Sequence, residues 1–345
     1  MVATRRRLPC TEIYLRRIWP IRESATKLRD FIKSKGDAAK KRSLDARGQE
    51  PAVPVVSFLN DRTPESSVSV VGAFRNGLSE TGYVEGQNVM VEYHWLNGQY
   101  DQLPSLMAEL VRRDVRVIAT PGSSPAALAA KAATSTIPIV FGGGEDPIRL
   151  GLVASLARPG GNVTGINIFV QELAAKRLGL LHNVVPKAVR IAVLVNPSNA
   201  PSAEATLRDL PEAARARGLQ IQVLNASTRP EIEAAFATLV RDGADALLVA
   251  PDGFFVSRRV QLATLAARFG IPAIHSVREE VEAGGLMSYW TDTLDMWRQV
   301  GIYTGQILKG AQPSELPVLQ LTKLNQPADG EGAWNRGAQL DPIAR

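Results

Sequence analysis

The sequence predicts an α/β protein built as two Rossmann-like lobes, each a parallel sheet covered by helices and joined to the other at a hinge. Three observations predict it. From Val53 onward, short β-branched runs alternate with helical stretches. That alternation occurs twice with similar element order, and regular β-α alternation with apolar strands implies parallel sheets covered on both faces. A late apolar run at Gly285–Tyr289 follows the second series, as if the chain returns after building another lobe.

The first series of strands reads as Val53–Leu59, Asn88–His94, Val115–Thr120, Ile137–Phe141 and Asn162–Ile166. The second reads as Arg190–Val195, Leu219–Leu224, Ala246–Ala250 and Pro272–His275. Between them lie helical patterns. Ser66–Ser79 places Val70, Val71, Phe74 and Leu78 on one face, and Leu103–Arg113, Pro125–Ala133, Ala203–Arg217, Arg229–Arg241 and Ser257–Phe269 follow the same period. Gly218, Gly243 and Gly270 each stand where a helix ends just before a strand, the position at which a left-handed cap favours glycine. The helix Val170–Val185 is the expected first crossing between lobes, and Gly284-Gly285 the expected return. The first lobe is therefore expected to span residues 53–169 plus 284–324 and the second lobe residues 170–283. Two connections at one hinge suit a cleft that opens and closes.

Charge divides unevenly. Residues 1–52 hold 14 Lys/Arg against 6 Asp/Glu, a net +8, so the rest of a chain whose total is +6 carries −2. The basic character belongs to an N-terminal extension, read as a solvated segment that adds little to the fold; a basic tail of this kind also suits nucleic acid or an anionic surface. No run of 18 apolar residues occurs. The single cysteine, Cys10, makes an internal disulfide impossible.

In open α/β sheets, ligands sit beyond the carboxyl ends of the strands. The residues there are small and polar: Asn60 and Asp61 after the first strand, Ser123-Ser124 after the third, Gly142–Pro147 after the fourth, then Asn196–Asn199 and Pro251–Phe255 in the second series. Ser123 and Ser124 open a helix, whose free N–H groups hold an anion such as a ligand carboxylate; they also read as an ordinary N-cap. Asp146 and Asp252 suit an ammonium, or cap the helices that follow. Asn60, Asn196 and Asn199 complete the polar set. Phe254 and Tyr289, with Phe255 and Trp290 beside them, suit stacking on an apolar or aromatic ligand, or belong to the core.

Catalytic arrangements are poor. His94, His182 and His275 lie far apart in sequence, and no metal-ligand spacing occurs. Gly142-Gly143-Gly144 lacks the dinucleotide-binding spacing, and neither a P-loop nor a nucleophile elbow is present. No cofactor, no metal and no nucleic-acid partner are expected.

The blocks Gly77–Asn88 (GLSETGYVEGQN), Lys131–Phe141 (KAATSTIPIVF), Asp146-Pro147, Gly151–Leu156, Pro159–Gly165 (PGGNVTG), Ala175–Leu178, Asn196-Pro197 and Gly284–Tyr289 (GGLMSY) occur in order. Together they resemble the ABC-transporter substrate-binding proteins of the tryptophan/tyrosine-type family, over about Val53 to Lys323. The resemblance implies a type I periplasmic-binding fold, a small amino-acid-like ligand, aromatic or apolar, a hinged cleft, no catalysis, a monomer, an ABC permease as membrane partner and a periplasmic or extracytoplasmic location. Both ends depart from the family pattern. Arg29–Ile32, Gly36–Ala39 and Ala46–Glu50 echo a secretion signal, but lysines and arginines interrupt the stretch that should be apolar. After Lys323 the family segment gives way to Asn325–Gly337, as a frameshift would produce, leaving residues 325–345 as an atypical tail. Two further readings stand beside the transport one: a ligand-sensing regulatory module of the same fold, and an α/β enzyme, for which no reactive constellation is found.

Overall fold

The computed structural model describes residues 53–168, 173–289 and 293–321. The readings of the N-terminal extension, the C-terminal tail and Trp290 lie outside the described residues.

The first lobe begins with VVSFLN, a β-branched and aromatic run that forms β1 (Val55–Asn60). It is followed by α1 (Val68–Glu80), β2 (Met90–Trp95), α2 (Leu103–Arg112), β3 (Val117–Pro121), α3 (Ser124–Ala133), β4 (Ile139–Gly143) and β5 (Val163–Ile168). The second lobe holds α4 (Leu173–Val184), β6 (Arg190–Val195), α5 (Ala200–Arg215), β7 (Gln220–Asn225), α6 (Arg229–Arg241), β8 (Ala246–Val249), α7 (Gly253–Ser257), α8 (Arg259–Phe269), β9 (Ala273–His275), α9 (Arg278–Glu282) and β10 (Met287–Ser288). The chain then returns to the first lobe with α10 (Leu294–Leu308) and β11 (Leu319–Leu321). The sheets are β11-β5-β4-β3-β1-β2 and β10-β9-β8-β6-β7. Every strand pair is parallel.

Strand alternation sends successive side chains to opposite faces, and each sheet accordingly has two cores. Val56 and Phe58 of β1 pack with Phe74 and Leu78 of α1 and Trp297 and Val300 of α10, whereas Leu59 packs with Met107, Leu110 and Ala127 on the other face. In the second lobe Ile191, Val193 and Val195 pack with Leu178, Leu181 and Leu210, and Ala192 and Leu194 with Ile232, Phe236 and Leu262. The expected glycine caps adopt left-handed backbone, with φ of 66° at Gly218, 66° at Gly243 and 64° at Gly270. The parallel α/β fold class is as expected.

Three details differ from the sequence reading. The late strand joins the second sheet: Met287 pairs with Ile274 and Ser288 with His275. The five-residue α9 is long enough to carry the chain up and back beside β9, and Met287 is buried in the second lobe's core against α4 and α5. The second lobe thus continues past Gly284, at least to Ser288. The expected helix Ser257–Phe269 is found as α8 from Arg259, and a separate short helix, α7, capped by Asp252, precedes it. Lastly, α10 and β11 were not anticipated. Helix α10 lies against α1 at backbone contact: a Cβ on Gly301 would fall 2.2 Å from the Phe74 carbonyl oxygen.

Candidate functional site

The carboxyl ends of the two sheets border a cleft of about 950 Å³. Its first-lobe wall includes Arg62, Ser124, Glu145, Asn167, Met296 and Trp297. Its second-lobe wall includes Arg177, Asn199, Asp252, Val256 and Val277.

On the first lobe, Ser123 is the N-cap of α3, and its hydroxyl oxygen accepts the Ala126 N–H at 3.2 Å. Ser124 donates to Glu145 Oε2 at 2.7 Å. Asn167 at the end of β5 donates to the backbone oxygen of Glu145 at 2.7 Å, which fixes the loop carrying that carboxylate. Ser124 is therefore already engaged with an anion of the protein itself. Arg62 is nearly buried; it reaches the Ser66 carbonyl at 3.3 Å, lies 3.6 Å from Glu279 across the cleft and packs 6.0 Å from the Trp297 ring centroid. Burial lowers its pKa, partly offset by Glu279 and Glu280.

On the second lobe, Asp252 caps α7. Its Oδ1 accepts from the Phe254 and Phe255 N–H groups at 2.9 and 3.3 Å and from Asn196 at 3.2 Å, and its Oδ2 accepts from Asn199 at 2.9 Å. Burial pushes the Asp252 carboxyl up to about 6 even though these donors favour the ion. Asn196 is itself held by Ser227, whose hydroxyl donates to its Oδ1 at 2.8 Å. Arg177 of α4 is buried, its Nε donating to the Leu173 carbonyl at 3.3 Å, and burial lowers its pKa to about 10.

Four of the nine residues singled out from sequence line the cleft: Ser124, Asp146, Asn199 and Asp252. Asp146 sits at the rim, where its Oδ1 accepts the Ile148 and Arg149 N–H groups as a turn cap. The other five stand behind the wall. Asn60 ties the end of β1 to β3 by donating to the Pro121 carbonyl at 2.8 Å. Ser123 and Asn196 serve as cap and clamp. Phe254 packs in the second core, with its ring 5.7 Å from Phe255. Tyr289 packs beside the other second-lobe core.

Sequence reasoning passed over Trp297, Met296, Arg62 and Arg177 as site residues. Met296, Trp297, Val300, Gly301 and Thr304 recur at helical spacing, and that period was the available signal. Glu145 and Asp61 lay inside the loop segments already picked out but were given no role. Asp61 is fully buried beneath the cleft floor, where Tyr100 donates to its Oδ2 at 2.9 Å.

Two parallel α/β lobes facing each other across a cleft define the class of type I periplasmic-binding proteins. Residues 53–326 match the family model described as ABC transporter substrate binding protein, and the chain belongs to that family. A tyrosine-binding protein of Clostridioides difficile (strain R20291) is 29% identical over 248 residues, which is 72% of this chain and 70% of that protein. The ABC domain in complex with L-Trp from Streptococcus pneumoniae superposes with a TM-score of 0.70 at 24% identity, covering 78% of this chain and 90% of that one. A conserved domain protein from Vibrio cholerae gives 0.71 at 24% identity over the same shares. The ligand-free, open structure of a substrate-binding protein with adhesive properties from Clostridium difficile gives 0.51 at 25% identity, over 78% and 89%. Among the described residues, no helix is long and apolar enough to cross a membrane.

Proposed function

We propose that this protein captures an aromatic amino acid in the interlobe cleft, closes over it as a monomer on the extracytoplasmic side, and presents the closed form to an ABC permease. One observation carries the ligand assignment: a hydroxyl-and-carboxylate pole, Ser124–Glu145 with Asp252 opposite, shares the cleft with an apolar wall of Met296 and Trp297. The tyrosine-binding relative supports the same reading. Glu145 and Asp252 take the ligand ammonium from opposite lobes. Arg62 takes the carboxylate, exchanging its long contact with the half-exposed Glu279 for a closer one. Met296 and Trp297 meet the ring. In this arrangement Ser124 orients Glu145, and Asn199 orients Asp252, in place of direct carboxylate binding by the serine pair. Asn60, Ser123 and Asn196 hold the loops in place, and Phe254 and Tyr289 act as packing.

The test is titration calorimetry with L-tyrosine, L-tryptophan, N-acetyl-tyrosine and tyramine. The two amino acids should bind, and the acetylated compound, which has lost the ammonium, should bind at least about tenfold more weakly, since a hydrogen bond to a charged group contributes roughly 1.5–3 kcal/mol. Glu145→Gln should weaken L-tyrosine by a similar factor. Absence of binding by both aromatic amino acids would remove the ligand assignment. Turnover of the ligand during the titration would overturn the binding-protein reading.

A further inference from the structure

We propose that Asp61 is a proton-linked latch: the second lobe seals over its carboxyl only when that carboxyl carries a proton, so that closure takes up one proton. The inference rests on the hinge closure of the proposed function and adds a regulation to the same cleft.

The geometry is that of a seam. Asp61 follows β1 and is 0% exposed, yet it does not line the cleft. Its cover comes from the opposite lobe: a Cβ built on Gly253, the first residue of α7, would lie 2.6 Å from the Asp61 Cβ. The same seam is stitched by the Thr63 N–H, which donates to Ser257 Oγ at 3.1 Å, and by the Ser66 and Ser257 hydroxyls at 3.2 Å. Gly98 makes a second close approach, since a Cβ there would lie 2.9 Å from the Phe254 Cβ. All of these contacts join the 60–66 loop or the 97–98 turn of the first lobe to α7 of the second.

The groups acting on the carboxyl are the Tyr100 and Ser123 hydroxyls from its own lobe, Glu145 from the loop after β4, and Asp252 from the second lobe. The neighbouring Arg62 guanidinium turns instead to Ser66 and Glu279. Burial first, with the Asp252 charge adding to it, pushes Asp61 up to about 8, against the lowering effect of the two hydroxyls. Opening withdraws both α7 and Asp252 and lets water reach the carboxyl, which returns it toward the ordinary carboxylate range. The closed form therefore binds more protons than the open form between these two values. Closure is favoured as pH falls below about 8 and weakens as pH rises toward it, by up to about tenfold per pH unit. Asp252 contributes less to this linkage, because its four donors come from its own lobe and remain with it in either state.

Small-angle scattering of the ligand-free protein from pH 5 to 9 tests the latch without any ligand. The wild type should expand as pH rises, Asp61→Asn, which is nearly isosteric and uncharged, should stay compact throughout, and Gly253→Ala should be open at every pH. Asp61→Ser serves as the second uncharged variant should the asparagine disturb Tyr100. Titration with L-tyrosine at pH 7 in phosphate and in Tris then reads the proton directly: close to one taken up by the wild type and none by Asp61→Asn. A flat wild-type scattering profile, or one that Asp61→Asn reproduces, overturns the latch whether or not L-tyrosine binds. Failure of L-tyrosine to bind while the scattering profiles differ removes only the ligand assignment.

Discussion

Asp252 follows β8 and Asp61 follows β1, each beyond the carboxyl end of its own sheet, and they are buried by different means. Asp252 accepts four hydrogen bonds, all from donors of its own lobe. Asp61 draws on the Tyr100 and Ser123 hydroxyls, and its cover is Gly253 of the opposite lobe. The corresponding packing also differs. The first lobe builds its α1-side core on aromatic rings, Phe58 lying 4.9 Å from Phe74 and 6.1 Å from Trp297, while the core against α4 and α5 is aliphatic. A buried carboxylate satisfied locally keeps its donors wherever the other lobe stands. One sealed by a neighbouring body reports on where that body is.

The largest expected effect separates the lobes by packing. Gly301→Leu drives a side chain into the α1 backbone, where neither partner can yield, and should destabilise the protein by about 3 kcal/mol or more. Urea unfolding followed by tryptophan fluorescence checks it; Trp297 beside the change reports first-lobe loss. Retained stability would mean that α10 can slide on α1.

Asp252→Ala comes next. It removes the cap of α7 and leaves the Asn196 and Asn199 amides without their acceptor inside the second lobe. A loss of roughly 2–4 kcal/mol is expected from those terms, with Asp252→Asn recovering part of it. Thermal unfolding of the two variants side by side gives the answer, and equal losses would argue against the cap.

Asp61→Asn should act in the opposite direction and with a pH dependence. The folded-state pKa of Asp61 is raised, so its contribution is favourable at low pH and is lost as pH climbs from the unfolded value toward about 8. The variant lacks that loss. Its stability relative to wild type should grow steadily between pH 5 and pH 8, read from paired melting curves. A constant difference across that range would show that the carboxyl is solvated in the folded protein. The smallest effect belongs to Glu279→Gln. Its pairing with Arg62 is long and half-exposed, so stability should change by less than about 1 kcal/mol, and high salt should have little influence on the variant.

The fold was legible in the sequence wherever one local rule governed it. Arg190–Val195 appears with the expected limits because an unbroken apolar run between a turn and Asn196 can only be a buried strand. Arg229–Arg241 likewise follows from Thr228 and Glu231, which form a capping box. The run Gly285–Tyr289 is equally clear as a strand, but which sheet it joins depends on how far α9 carries the chain. Helix α10 escaped notice because its two glycines and Tyr303 blur the period, although those glycines are what let it approach α1. The site was half legible. Loop residues after strands were found by position, whereas Trp297 and Arg177 enter the cleft from helices, and a helix sequence alone does not say which neighbour its face will meet.

By itself the sequence determined the two β-α series, the parallel sheets and the polar character of their carboxyl ends, because strand period, helix period and turn chemistry act over a few residues at a time. Only the tertiary structure decided that Ser124 would be taken by Glu145, that Asp252 would be held by donors of its own lobe, and that Asp61 would lie under Gly253. Those outcomes join residues from 21 to 192 positions apart, set by how two sheets are placed across a cleft. The free energy of a carboxylate depends on that placement, because burial and neighbouring charge, not residue type, fix whether it holds its proton.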